Sequence, residues 1–540
     1  MTGTTDKKIS IWGSNNSADV DQAFYIRAKN VTLNGGIQVE NSPVKMVLDV
    51  PEGTQNTIKK ITANDLTVKG SGTLNAQTMS VGQKTSYMPS ALHIQDTTIT
   101  VTHLPKETTD ADYWHGSCVL SGKAKVTYIG GGTYAPLKVG QDDGDKHSLT
   151  LKDSAKLYCL QDSDSPASSS VSGLEIFGNT PLVLQDNSYL EAKGKPSSGK
   201  YVGCGIATNS SIRVKDSAEI KAAAQSVAID AGGAVTISGG KVTANSTGSN
   251  GIYSGKTIAI SNGATVEVAG YLPALFAQSG VEISSSRVDA SASNDVAIFS
   301  RSTVNIQNSV VKTQTPDGKD GILSRKARSI SGSWIETSGK ESYDGDIRNS
   351  VLFNSDAGKV IGNAQLPADA EIAKGRTLLI PKGASLRVGS GKKLVNNGLV
   401  TVEGDFANAG GMLICNSHSG GTADCQAPAI CSLCGVSYGA KNPNVHANLT
   451  HVDAKAATAE SAGNIEYWHC EKCGKYYSDA KAAHEITLEQ TVIEKLPGKE
   501  AVNNLPKTGD DSRVALWLLL LAVSGGVLLK NFADRRKNAD

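Results

Sequence analysis

The chain has 540 residues, a formal net charge of +1 and an aromatic content of only 5%. This length exceeds what one ordinary hydrophobic core accommodates and indicates several modules, whereas the near-zero charge argues against nucleic acid as a partner. The 56 glycines, with abundant Ser, Thr, Asn and Asp and with Val and Ile as the main apolar residues, favour short strands joined by tight turns. We therefore predict a mainly β fold.

Short alternating segments dominate the first 200 residues. Residues 30–36 and 66–74 are examples, because apolar and polar side chains alternate in each and Gly or Asn follows. Three cysteines, Cys118, Cys159 and Cys204, are scattered through this half. We expect them to be inward-facing residues of the fold without a chemical function.

Residues 205–337 repeat with a nearly constant period. Apolar residues recur at 23-residue spacing, with one final step of 24, in two series, and a third series is looser. The first series is Ile206, Ile229, Ile252, Leu275, Ile298 and Ile322; the second is Val214, Ile237, Ile260, Ile283, Ile306 and Ile330; the third is Ile220, Val242, Val266, Val288, Val311 and Ile335. A fixed period in the low twenties is typical of a solenoid.

The residue types within the period identify the kind of solenoid. Three short strands per period, each with one inward column of Ile or Val, predict a right-handed parallel β-helix of about 23 residues per coil, which we extend over residues 1–410. A leucine-rich repeat has a similar period, but its leucines and buried Asn are missing. A β-sandwich would not hold one spacing through five repeats.

The best acidic cluster of this region is residues 141–145, Gln-Asp-Asp-Gly-Asp. Its first three residues resemble one motif of polygalacturonases, in which paired aspartates act as acid and base. The companion motifs of that family, Asn-Thr-Asp, Gly-His-Gly and Arg-Ile-Lys, are absent from the chain. We therefore predict that the protein is not an enzyme and that the Asp-rich turns are solvated or bind calcium.

Residues 411–497 contain six of the nine cysteines. Two Cys-x-x-Cys-Gly knuckles, at Cys431–Cys434 and Cys470–Cys473, are each followed by a tyrosine at the same offset, which indicates a tandem duplication. Two thiolates in such a turn converge as tetrahedral zinc requires. Further candidate ligands are Cys415, His418, Cys425, His446, His451, His469 and His484.

This Cys/His-rich, zinc-ribbon-like module resembles a small repeat of secreted Firmicutes proteins in residues 418–425, 449–458 and 463–468. We predict one structural zinc site at Cys431 and Cys434, completed by Cys425 and by His418 or His446. The second site would use Cys470, Cys473 and His451. The family pattern has a cysteine where this chain has Ala459, so the second site lacks a ligand unless His446 or His484 replaces it. An even number of cysteines in an exported protein also permits three disulfides.

The C-terminal 36 residues follow a linker at 498–504. Residues 505–509 read Leu505-Pro506-Lys507-Thr508-Gly509, an uncharged apolar run follows at 514–529, and basic residues begin at Lys530. This order resembles the LPxTG sorting signal of Gram-positive cell-wall proteins. The resemblance implies that sortase cuts after Thr508 and joins its carboxyl group to an amine of the peptidoglycan cross-bridge. An ordinary transmembrane anchor is the alternative, although the run is shorter than the about 20 residues that a stable span needs.

The sorting signal predicts a protein of the cell wall and the extracellular surface, retained in the membrane by the transmembrane helix 514–529 only until sorting. The upstream strands resemble the nominally carbohydrate-binding β-helical regions of Firmicutes surface proteins. We therefore expect an adhesin or glycan-binding stalk, with a glycan or a host or bacterial surface molecule as its ligand. The alternative is a wall-bound β-helical polysaccharide lyase or glycoside hydrolase. Export requires a leader, and because no apolar segment follows Met1 we expect the leader upstream.

Overall fold

A computed structural model describes residues 1–12, 23–40, 44–82, 90–103, 112–130, 135–140, 147–161, 171–194, 203–339 and 345–498. The chain divides into two compact units. The solenoid unit comprises Met1–Thr422 and Ala429–Tyr438, and the C-terminal unit comprises Ala423–Pro428 and the chain from Gly439 onward.

The solenoid unit is built mainly from three stacks of parallel strands, which we call faces 1, 2 and 3 in the order in which each coil visits them. Face 1 consists of Ile9–Trp12, Ile37–Glu40, Lys60–Ala63, Thr78–Val81, Asp112–Trp114, Leu137–Val139, Leu174–Ile176, Ile206–Thr208, Ile229–Ala231, Ile252–Ser254, Leu275–Ala277, Ile298–Ser300 and Ile322–Ser324. Face 2 consists of Ala23–Arg27, Lys45–Asp49, Asp65–Lys69, Ala91–Gln95, Ser117–Ser121, Leu149–Leu151, Leu182–Leu184, Thr257–Ser261, Gly280–Ser284, Thr303–Gln307, Ala327–Ser331 and Asp346–Arg348. Face 3 consists of Gly3–Thr5, Val31–Leu33, Gln55–Ile58, Thr73–Ala76, Thr98–Thr102, Lys125–Gly130, Lys156–Gln161, Tyr189–Lys193, Thr265–Gly270, Arg287–Ala292, Val310–Gln314, Trp334–Thr337 and Ser350–Asn354. Two longer strands, Ile212–Ala224 and Val235–Ser246, run through faces 2 and 3 of their coils.

The predicted repeat is confirmed in register. Ile206 pairs with Ile229, Ile237 with Ile260, and the other members of the three apolar series pair in the same way from coil to coil. Every member is buried in one continuous hydrophobic core. The fold is thus a parallel β-solenoid of about 15 turns with ~23 residues per coil.

Alternation explains why these segments form strands. In Thr257–Ser261, Ile258 and Ile260 point inward and are buried while their neighbours are partly exposed, as the pleat of a strand requires. Turns at the corners use left-handed backbone, for example Asn262 at φ 57° and Gly263 at φ 77°. Such corners close a coil without a long loop.

The first half contains the less regular coils, because residues are added between the strands. Trp114 pairs with Val81 although they are 33 positions apart in the chain, and residues 83–89 and 104–111 of that interval lie outside the described residues. Cys118 and Cys159 face inward and are fully buried, as predicted. Cys204 is half-buried and lies outside the strands.

The solenoid reverses direction near its end. Ser350–Asn354 pairs antiparallel with Ala357–Ile361, and the chain then starts a second, shorter stack of coils. This second stack consists of Ala357–Ile361, Thr377–Ile380 and Leu399–Val402; of Asn363–Gln365, Ser385–Gly389 and Asp405–Ala409; and of Ala370–Ile372, Lys393–Asn396 and Met412–Cys415. It has its own core, into which outward residues of the preceding coils, such as Trp334 and Phe353, project.

The predicted boundary at residue 410 differs from the one in the structure. The first knuckle belongs to the solenoid unit, because Cys431 and Leu433 are buried in the core of the second stack. Its strands Ala429–Ile430 and Ser437–Tyr438 form an antiparallel pair.

The C-terminal unit is small and contains little apolar core. It consists of an antiparallel sheet, a two-stranded pair and a short helix. The strands are Leu449–Val452, Tyr467–Cys470, Tyr476–Tyr477 and Glu485–Ile486, then Gly463–Asn464 with Val492–Ile493, and the helix is Leu488–Thr491. A capping box of Thr487 and Gln490 begins that helix. No helix within residues 1–498 as described is long and apolar enough to span a bilayer, and the predicted transmembrane segment 514–529 lies outside the described residues.

Candidate metal centres

The first candidate centre lies at the end of the second stack. Cys415 ends a strand of that stack, His418 follows it, and Cys431 and Cys434 come from the first knuckle. Their four ligand atoms lie within 4.8 Å of one another, with Cys434 Sγ 3.4 Å from His418 Nδ1. All four residues belong to the solenoid unit.

The core of the second stack positions this first centre. The side chain of Asn396 donates to the carbonyl of Ser417 at 2.9 Å, and the hydroxyl of Ser419 donates to the carbonyl of Val400 at 2.6 Å. These bonds tie the segment between Cys415 and the knuckle to the last coils. The first centre therefore closes the end of the solenoid core.

The second candidate centre lies within the C-terminal unit. Cys470 and Cys473 of the second knuckle meet Cys425 and His446, and their ligand atoms again lie within 4.8 Å of one another. Cys425 Sγ is 3.8 Å from Cys470 Sγ, and Cys473 Sγ is 3.5 Å from His446 Nδ1. Tetrahedral ligands at about 2.3 Å from a zinc ion stand roughly 3.8 Å apart, so both centres have the spacing of a Cys₃His site.

The two knuckles have the same backbone hydrogen bonds. Cys431 N–H donates to Val436 and Gly435 N–H donates to Cys431, and Cys470 and Gly474 repeat both bonds. Gly435 and Gly474 have φ of 72° and 74°, a left-handed conformation that glycine adopts without strain. The duplication inferred from the sequence thus extends to the local geometry.

One thiol in each centre is held toward its thiolate form. Burial raises the pKa of Cys431, but hydrogen bonds from the backbone N–H groups of Ser419, Cys434 and Leu433 outweigh it and lower the pKa to about 6. Burial likewise raises the pKa of Cys470, whereas the backbone N–H of Cys473 lowers it to about 7.

Cys415 and Cys425 are less acidic than an ordinary thiol. Burial and the contact with Cys434 raise the pKa of Cys415 to about 12, and burial with contacts to Cys473 and Cys470 raises the pKa of Cys425 to about 11. A cation between these sulfurs would favour all the thiolates, because metal ligation deprotonates a coordinating thiol.

The structure groups the ligands differently from the sequence prediction. Cys425 lies with the second knuckle, not with the first, and His446 fills the position left by Ala459. Cys415, an extra candidate in the sequence, takes the place that we expected for Cys425. This exchange arises because Ala423–Pro428 belongs to the C-terminal unit, where the N–H of Cys425 donates to Val445 at 2.9 Å.

His451 is outside both centres. Its ring stacks on Trp468 and its Nε2 lies 2.8 Å from Glu466 on an exposed surface, with Asp453 nearby. The other extra histidines also lie apart, since His484 pairs with Asp479 and His469 stacks on Tyr476. No disulfide joins any of the nine cysteines, all of which lie among the described residues.

A column of charged residues on face 3 is the candidate for catalytic groups. Glu267, Asp289, Lys312 and Glu336 occupy successive coils in register, which brings three carboxylates near basic side chains. The carboxylate of Glu336 accepts a hydrogen bond from Trp334 Nε1 at 2.8 Å. It also forms ion pairs with Lys312 Nζ at 3.2 Å and with Arg376 at 2.6 Å. Arg376 comes from the second stack, so this ion-pair network ties the two stacks together.

Asp289 differs from the other carboxylates of the column. Burial raises its pKa, and its Oδ1 has no hydrogen-bond partner among the described residues. The acidic segment 141–145 lies outside the described residues, as do all five residues of the sorting signal, Leu505, Pro506, Lys507, Thr508 and Gly509.

Comparisons with known proteins return no match. No family model, no curated protein and no solved structure matches the chain.

Proposed function

We propose that this chain is a Gram-positive surface protein that sortase joins to the peptidoglycan cross-bridge through Thr508. Its solenoid displays a binding surface outside the wall, directed at glycans or at surface molecules of a host or another bacterium. The protein acts by binding and not by catalysis.

One observation carries the proposal of wall attachment. The pentapeptide at 505–509, the apolar run 514–529 and the basic residues from Lys530 follow one another in the order of a sorting signal. Basic residues after an apolar run stay in the cytoplasm, which holds the pentapeptide on the outer side of the membrane. Pro506 fixes its φ, which favours an extended or bent peptide in the groove of an enzyme.

The solenoid supports the binding role. Each coil contacts only its neighbours, so the stack presents long rows of outward side chains at fixed spacing. Neighbouring strands stand about 4.8 Å apart, which allows a repeating ligand to meet equivalent positions in consecutive coils.

Two structural zinc ions complete the proposal. Three thiolates and one imidazole are a donor set of structural zinc sites, and the two clusters have this composition. Zinc at the first centre stabilises the end of the solenoid, and zinc at the second supplies much of the folding free energy of a unit with few buried apolar residues.

Wall attachment is tested by changing Thr508. The chain is expressed behind a secretory leader in a Gram-positive host with sortase, and the walls are extracted with boiling detergent. We expect the original protein and the control Thr303→Ala, an exposed position of the solenoid, to resist extraction. Thr508→Ala should release the protein, and a Thr508→Ala protein that stays in the extracted wall would rule out covalent sorting at this residue.

A wall-bound polysaccharide lyase or glycoside hydrolase is the competing function, and Asp289 is the residue that favours it. A carboxyl group with a raised pKa and an unpaired oxygen suits a general acid. Release of reducing ends from acidic and neutral polysaccharides by the original protein, abolished in Asp289→Asn and retained in Asp295→Asn, would establish this function in place of the binding role.

A further inference from the structure

Three aromatic side chains form a ladder on the outer side of face 1. Tyr253, Phe276 and Phe299 are the outward central residues of three consecutive strands and pair in register. Their ring centroids stand 5.3 and 5.2 Å apart, and each side chain is half-buried. We call these three residues the aromatic ladder.

Basic side chains line one edge of the aromatic ladder. Arg301 and Arg325 follow the strands of the next coils, and their guanidinium carbons lie 5.8 and 6.0 Å from the rings of Phe276 and Phe299. Both arginines are exposed, and neither has an ion-pair partner among the described residues. Lys256 and Lys326 are exposed in the same row of turns.

The coil that precedes the aromatic ladder carries an acidic residue at the equivalent outward position. Asp230 occupies the position before Tyr253 in the same outward row, and burial raises the pKa of its carboxyl group. Gln278 donates to the hydroxyl of Tyr253 at 3.0 Å and places an amide beside the ladder. Along this outward row of face 1, an acidic side chain is therefore followed within two coils by aromatic rings with basic side chains beside them.

We propose that the aromatic ladder and its arginines bind an extended, carboxylated polysaccharide. This proposal rests on the proposed binding function and names its ligand class and its site. The apolar faces of sugar rings pack on aromatic rings, while arginine pairs with a carboxylate in a bidentate geometry. The ladder repeats at the coil spacing, which is comparable to the length of one sugar unit in an extended chain.

The dimensions and charges of the site favour this ligand. The ladder is one side chain wide, whereas a stable protein partner buries a broad patch of about 800 Å² on each side. Single-stranded nucleic acid also stacks on aromatic rows beside cations. Oligothymidylate is therefore included in the test as the competing ligand.

The test measures binding of the full chain to polygalacturonate, to the same polymer after methyl esterification, and to oligothymidylate. We expect polygalacturonate to bind, and esterification to weaken binding about tenfold because the carboxylates lose their charge. The double variant Arg301→Gln, Arg325→Gln should weaken binding to polygalacturonate by about the same factor. The double variant should leave binding to the ester nearly unchanged, because esterification has already removed the carboxylate charges that the two arginines contact.

Two further variants complete the design. Phe276→Ala should weaken binding to both polymers about tenfold. Arg213→Gln removes one arginine charge from an exposed position of face 2 and should have no effect. Unchanged thermal unfolding of each variant shows that the fold is retained.

Three outcomes would overturn the proposal: no binding to polygalacturonate, equal losses in Arg213→Gln and the double variant, or tighter binding to oligothymidylate. None of them affects wall attachment, which detergent extraction of the Thr508→Ala protein measures separately.

Discussion

Each candidate metal centre holds its histidine against a tyrosine. The ring of Tyr438 stacks on His418 at 5.6 Å, and the hydroxyl of Tyr477 lies 2.8 Å from His446 Nε2. Because His446 Nδ1 faces Cys473, the bond to Tyr477 leaves Nδ1 as the ligand atom and fixes the orientation of the ring. The tyrosine that follows each knuckle thus has a role in its centre.

Single cysteine variants should remove one metal ion each. Cys415→Ser should reduce the zinc content of the chain from two ions to one and loosen the end of the solenoid, whereas Cys425→Ser should lose the other ion and unfold the C-terminal unit. His451→Ala is the matched control and should keep both ions. Elemental analysis with hydrogen exchange checks this, and loss of zinc in His451→Ala would contradict the ligand assignment.

The metal-free protein should be less stable in acid. Cys431 has a folded pKa of about 6, below the unfolded value of about 8.5. The resulting stability is fully present above the unfolded value and is lost as the pH falls through the folded one. The raised pKa of Cys415 matters only above about pH 8.5, outside this window.

Denaturant unfolding of the reduced, metal-free chain at about pH 8 and about pH 5 measures this dependence. We expect a lower midpoint at the lower pH for the transition of the second stack. Cys431→Ser should remove its own part of the difference, and a midpoint that rises toward acid would contradict the direction.

Part of each candidate metal centre can be predicted from the sequence. The two Cys-x-x-Cys-Gly turns are local, so their spacing predicts converging thiolates. The fourth ligands are not local: Cys425 precedes Cys431 by six residues and yet meets Cys470, 45 residues away. Proximity in sequence favoured the wrong knuckle, because only the fold places residues 423–428 in the C-terminal unit.

The strands of faces 1 to 3 owe their register to their inward columns. A shift by one residue would turn every apolar side chain of a strand outward, so the columns specify one pairing. This is why three apolar series predict the coils from residue 206 to residue 337. The repeat in the sequence does not reveal the reversal at Ser355, which adopts φ 49°. The reason is that the strands of the second stack have a similar alternation of apolar and polar residues.

Ile260→Asp tests the inward column. The variant buries a carboxylate between Ile237 and Ile283 without a partner, which we expect to cost several kcal/mol and to unfold the adjacent coils. Ala259→Asp places the same group on the outer side of the same strand and should change the stability little. Hydrogen exchange of coils 235–292 distinguishes the two, and equal protection in both variants would contradict the inward packing of Ile260.

In the whole molecule, the two candidate centres lie in different units. The first belongs to the solenoid unit and the second to the C-terminal unit, so bound metal would not serve one separate module as the sequence had suggested. The coils of the first stack have a continuous core of their own. Their stability should therefore not depend on metal.

Chelation should produce two effects within one chain. A zinc chelator should unfold the C-terminal unit and expose the second stack from Leu378 to Val400, while coils 206–337 stay protected. Proteolysis and hydrogen exchange before and after chelation measure this. Uniform loss of protection along the solenoid, or no loss at all near Val400, would contradict the separate roles of the two centres.

Mass spectrometry of the purified wall can detect covalent attachment at Thr508. The wall is digested with a muramidase and then with a protease that cuts after Glu500. We expect a peptide from Ala501 to Thr508 whose terminal carboxyl group carries a cross-bridge amine. A peptide that continues through Gly509 into the apolar run would contradict this expectation.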